Sequence, residues 1–109
     1  ILANTIAADD FYLGQGRFDG AITPKYDINF RTEYFEKVRA LGIRNFEMES
    51  TALAAFCNQV EIPATMLAVT LVNRLLSDQV TATPEELAEF SDRSQLVAIN
   101  YLNTKTDLI

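Results

Sequence analysis

The order in which apolar residues recur constrains this chain more than any single motif. A short β-capable run at residues 6–8 leads into a polar loop containing Gly14, Gly16 and Gly20, whose spacing fits turns and misses the dinucleotide-binding fingerprint. From Asn29 onward, Phe30, Tyr34, Val38 and Leu41 fall at helical spacing; Asp27 can cap the start and Gly42 can end it in a left-handed conformation. Residues 43–48 form a short, partly β-prone run, and the alanine-rich stretch 51–60, with Leu53 and Phe56, predicts a closely packed helix. The continuous apolar run at 64–72 behind Pro63 predicts a buried central strand of a parallel sheet. Thr83-Pro84-Glu85-Glu86 then supplies a capping threonine, a first-turn proline and a reciprocal glutamate, so a last helix begins there and extends to Asn103. Such alternation predicts an α/β architecture with a parallel or mixed sheet flanked by helices, whose ligands bind beyond the C-terminal ends of the strands. The polar clusters at 10–17, 47–50 and 73–74 all fall at predicted strand ends.

At 109 residues, about half of them apolar, the chain is sized for one small domain. Nine Lys and Arg against fifteen Asp and Glu give a net charge of −6, which argues against a nucleic-acid partner. Cys57 is the only cysteine and histidine is absent, so disulfide frameworks and Cys/His metal sites are excluded, and a reducing, cytoplasmic setting is expected. The apolar run at 64–72 is far short of the ~18 residues of a membrane span. The sequence opens on Ile1 with no basic flank, so neither a translation start nor a secretory signal is expected, and the natural chain is expected to begin earlier.

Two clusters carry recognisable chemistry. Gln15-Gly16-Arg17, behind Phe11-Tyr12, combines an amide that donates and accepts with a guanidinium that only donates. That pair matches a uracil edge: Gln15 can take N3–H and give to one oxygen while Arg17 gives to the other, and cytosine would leave donors facing donors. An aromatic such as Phe11 could cover the ring. The alternative is a solvated surface pair. In Glu47-Met48-Glu49-Ser50-Thr51 two carboxylates flank a methionine at a strand-to-helix junction. Glu49 near a helix N-terminus could accept from two ribose hydroxyls while Met48 packs on the sugar. The alternative is that Glu47 and Glu49 face solvent and Met48 fills the core.

Taken together, Asp9-Asp10-Phe11-Tyr12-Leu13-Gly14-Gln15-Gly16-Arg17-Phe18-Asp19-Gly20 resembles the uracil-recognition loop of uridine phosphorylases, within the nucleoside phosphorylase family. Phe46-Glu47-Met48-Glu49-Ser50-Thr51 resembles the family's ribose segment, and residues 69–74 resemble the strand end lining its base pocket. The resemblance implies that residues 1–109 are the C-terminal part of a single nucleoside phosphorylase domain. It implies base contacts from Gln15, Arg17 and Phe11, ribose contacts from Met48 and Glu49 with Glu47 beside them, an apolar wall from Leu71 and Val72, and support at the uracil end from Arg74. Arg17 and Glu49 would bear on catalysis. The implied reaction is phosphorolysis of uridine to uracil and ribose 1-phosphate, with inorganic phosphate as co-substrate, no organic cofactor and no metal, in a dimeric or hexameric homo-oligomer.

The family's phosphate site, built from arginines and a glycine-containing loop, has no counterpart here; Arg31, Arg39 and Arg44 are expected in solvated or ion-paired roles. Two other readings stay open: a purine nucleoside phosphorylase or nucleosidase, against which Asn73 stands because it cannot protonate a purine, and a non-catalytic pyrimidine-binding or assembly-supporting module.

Overall fold

The computed structural model describes residues 1–106 and contains two strands and three α-helices: β1 (Asn4–Ala7), α1 (Ile28–Ala40), β2 (Ile43–Glu47), α2 (Ser50–Gln59) and α3 (Pro84–Thr106). The chain divides into two compact units, Ile1–Ala64 and the remainder from Thr65 onward.

In the first unit, β1 and β2 pair in parallel, with Ala7 opposite Glu47 and an irregularity between Asn4 and Thr5. A parallel pair needs a crossover, and α1 supplies it. The Asp27 carboxylate accepts from the Phe30 amide at 2.9 Å, so the predicted cap forms. At the other end Gly42 takes φ +80°, and Nη1 of Arg44 donates to the carbonyls of Arg39 and Ile43, which ties off the last turn. Arg39 and Arg44 thus meet at a helix terminus.

The core differs from the predicted stripe. Phe35, outside the Phe30–Tyr34–Val38–Leu41 series, is the buried residue of α1 at 7% exposure, while Phe30 and Leu41 stay exposed. Phe35 and Tyr34 pack against Phe46 of β2 with ring centroids 5.7 and 6.3 Å away. A benzyl side chain directed at a neighbouring aromatic strand residue outweighs helical spacing in choosing the buried face.

Two further expectations are corrected. The helix over 51–60 forms as α2 but buries none of its side chains, and Phe56 is 68% exposed. Strands lie about 5 Å apart and a helix is about 10 Å wide, so a two-stranded sheet offers little surface for a second helix once α1 has packed on it. The segment 64–72 forms no strand, and Leu67 and Leu71 are exposed. A strand exists only through ladder bonds to a neighbour, and among the described residues β1 and β2 pair solely with each other.

In the second unit the predicted capping box is present: the Glu86 amide donates to Thr83 Oγ1 at 3.2 Å, and the Thr83 amide donates to Glu86 Oε2 at 2.8 Å. With no glycine or proline after Pro84, α3 runs past the expected Asn103 to Thr106.

Candidate functional site

Because β1 and β2 are parallel, the loops that follow them leave from the same end of the sheet. The Ala8 amide donates to the Glu47 carbonyl at 2.8 Å, so both loops depart from one rung. In the first loop the Asp10 carboxylate accepts from the amides of Tyr12 and Gly14, each at 2.7 Å, and shapes the 3-10 turn Leu13–Gln15. Gly16 closes that turn at φ +66°, and a Cβ there would lie 3.3 Å from the Phe35 ring, so both backbone conformation and space call for glycine. The Arg17 amide donates to the Tyr12 carbonyl at 2.9 Å, and the Tyr26 hydroxyl donates to the Arg17 carbonyl at 3.2 Å.

This folding-in leaves Gln15 and Arg17 only 7% and 6% exposed, so the solvated-pair alternative fails. The Arg17 guanidinium donates through Nε and Nη2 to the two carboxylate oxygens of Asp19, at 2.8 and 2.7 Å. It also stacks over Phe11, 4.3 Å from the ring centroid.

In the second cluster the solvent-facing alternative fails for Glu47, which is buried, and for Met48, which is exposed, and holds for Glu49, which is exposed. Glu47 Oε2 accepts from the amides of Glu49 and Ser50 at 2.9 and 2.7 Å, and Oε1 accepts from the Ser50 hydroxyl. It thereby satisfies amides at the start of α2, a role usually taken by a residue at the cap itself. Glu49 occupies that cap position without a side-chain capping bond; its exposed carboxylate turns back to accept the Met48 amide at 3.1 Å.

Burial alone would raise the Glu47 carboxyl, but the hydrogen bonds from the Ser50 hydroxyl and the Ser50 and Glu49 amides outweigh it and hold the group below its ordinary value of 4.5. A depressed folded-state value means that Glu47 stabilises the fold fully above the ordinary carboxylate range and loses that contribution as pH falls through the folded-state value. Glu47→Gln is therefore expected to lower Tm at neutral pH and to have progressively less effect in acid, measured by thermal melts across pH 7 to 3; an equal Tm deficit at every pH would exclude an ionised cap.

In the second unit, Leu71 is exposed, Val72 half-buried, and Arg74 is ion-paired with Asp78 at 3.0 Å. Asn73 Oδ1 accepts the Leu75 amide at 3.1 Å. Arg31 stacks over Phe18 and Phe35 at 4.7 and 5.6 Å. Two concavities mark the first unit, one between β1 and α2 beside Ser50 and Asn58, the other beneath Gly14 and Gly16 against α1. Neither is lined by Gln15, Arg17 or Glu49. Among the described residues no three His, Cys, Asp or Glu side chains gather as metal ligands would. The residues that sequence reasoning passed over are Asp10 and Asp19; the signal for the first is an aspartate two and four residues ahead of amides in a glycine-rich turn, and for the second a carboxylate two residues after an arginine.

Mouse uridine phosphorylase 2 is 36% identical over 108 residues, covering 99% of this chain and 33% of its own length. The inactive uridine phosphorylase B of Schistosoma mansoni is 33% identical over 109 residues, 100% of this chain and 36% of its own. The crystal structure of uridine phosphorylase from Schistosoma mansoni in complex with uracil superimposes with a TM-score of 0.87 at 36% identity, over 98% of this chain and 37% of that one. The chain thus spans about a third of the length of the curated relatives it matches. Residues 5–104 match the phosphorylase superfamily. With that match running through both strands, both loops and most of α3, the chain belongs to the phosphorylase superfamily.

Proposed function

We propose that this chain is the base- and ribose-binding portion of a uridine phosphorylase, working in pyrimidine salvage in the cytoplasm as part of a homo-oligomer whose larger, mixed sheet completes the site. The observation that carries the reading is the burial of Gln15 and Arg17 at the C-terminal end of a parallel strand, where such sheets bind ligands. Gln15 and Arg17 read the uracil edge, Phe11 packs beside the base, Met48 and Glu49 hold the ribose, and Leu71, Val72 and Arg74 line the base pocket. Glu47 shapes the ribose segment from within, through the amides it holds.

In the reaction a phosphate oxygen forms a bond to the anomeric carbon as the bond to uracil N1 breaks. The electron pair leaves with uracil as an anion, which takes up the proton released as hydrogen phosphate becomes the phosphate ester, and the products are uracil and ribose 1-phosphate. Donors on the uracil oxygens are worth most when that charge develops, so Arg17 serves rate as well as specificity. The carboxylate of Glu49 orients the sugar hydroxyls and favours the positive ribosyl centre.

A non-catalytic binding module is the second reading, favoured by the match along the whole chain to a relative named as inactive. Calorimetric titration of uridine into the full-length protein, followed by a phosphate-dependent uracil-release assay, separates the two. Binding with turnover is expected; binding without turnover supports the module, and no binding overturns both.

A further inference from the structure

We propose that Asp19 is the positioning residue for base recognition: it sets the plane and direction of the Arg17 guanidinium and thereby decides which donors face uracil. This rests on the reading that Arg17 binds the base. A guanidinium has two edges that can engage an acceptor pair, one at Nε and Nη2 and one at Nη1 and Nη2. Asp19 takes the first edge with two contacts of 2.8 and 2.7 Å, and this turns the second edge away from the carboxylate.

Three further contacts restrain Arg17. Phe11 covers one face of the guanidinium at 4.3 Å, and the Arg17 backbone is held at its amide by Tyr12 and at its carbonyl by Tyr26. Arg17 is 6% exposed and the Asp19 side chain 23%, so the pair is shielded enough to be directional while Asp19 keeps contact with water. Asp19 also balances the Arg17 charge. The pair then presents donors with little net charge, which suits a neutral pyrimidine in the ground state. Nothing in Gln15 can substitute for this, because an amide carries no compensating charge.

The test is a double-mutant cycle in the full-length enzyme, read as kcat/KM for uridine and KM for phosphate. Asp19→Ala is expected to lower kcat/KM for uridine about 100-fold, the scale of a misplaced contact group, with KM for phosphate unchanged. In an Arg17→Met background the same change is expected to have no effect beyond about twofold, because Asp19 acts through Arg17. Asp19→Asn, of the same size, keeps the experiment decisive if the alanine variant does not fold; it is expected to fall between parent and alanine. Asp19 variants that turn over uridine at the parental rate while Arg17→Met is impaired would overturn the proposal and leave the uracil reading standing. So would Asp19 losses of equal size in both backgrounds, the mark of a merely structural residue. An unimpaired Arg17→Met enzyme removes the uracil reading, and the proposal with it.

Discussion

Arg17→Met in the full-length enzyme is expected to lower kcat/KM for uridine about 100- to 1000-fold, the usual cost of removing one preorganised donor to a developing anion. Methionine keeps an unbranched apolar stem against Phe11 and removes every donor. The loss should appear in both uracil binding and the chemical step, because in the proposed function the same hydrogen bond recognises the base and stabilises its departure. Arg17 is buried against Asp19, so some fall in Tm is expected as well. It should be moderate, since the Asp19 carboxylate retains access to water. The kinetic comparison therefore belongs at a temperature where circular dichroism shows both proteins folded. Parental turnover by a folded Arg17→Met enzyme would show that the loop does not read uracil.

Glu49→Ala is expected to cost about 1.5 to 3 kcal/mol in transition-state stabilisation, the worth of a charged hydrogen bond, or roughly 10- to 150-fold in kcat/KM. Here the structure predicts little change in stability. Glu49 is exposed, its side chain caps nothing, and the start of α2 is held by Glu47 instead. A second readout identifies the contact: the variant should lose discrimination between uridine and 2′-deoxyuridine, because the acceptor for the 2′ hydroxyl has gone. Unchanged discrimination, with kinetics unchanged as well, would place Glu49 outside the sugar site.

The parts of this fold that could be read from sequence are those decided within a few residues. Asp27, Gly42 and the Thr83–Glu86 pair act on their own helix ends, and each does what its residue type and position predict. What escaped depends on distant partners. Phe35 is buried because Phe46, eleven positions further along the chain, faces it, and helical periodicity carries no information about that ring. The run at 64–72 has the composition of a central strand, but composition cannot supply the neighbouring backbone a strand requires. At the site, residue types pointed to Gln15, Arg17, Glu47 and Glu49, whereas the two aspartates that organise the first loop did not stand out. Asp10 and Asp19 look like ordinary surface acids until their acceptor bonds are seen. Acidic residues are abundant in a chain of net charge −6, so type alone could not separate these two from the rest.

The pairing of Ala7 with Glu47 also governs where the chain can change length. Side chains alternate between faces along a strand, so deleting or adding one residue within β2 would carry Glu47 to the opposite face of the sheet. Glu49 and Ser50, whose amides Glu47 holds, would move with it, and the loops after β1 and β2 would no longer leave the sheet from one rung. The stretch after Gly20 is different. It is largely exposed and lies between the end of the Arg17–Asp19 clamp and the Asp27 cap, so added residues there can loop outward without disturbing either rung of the sheet. Length variation among proteins sharing this unit should accordingly collect between residues 20 and 26 and be absent between 43 and 50.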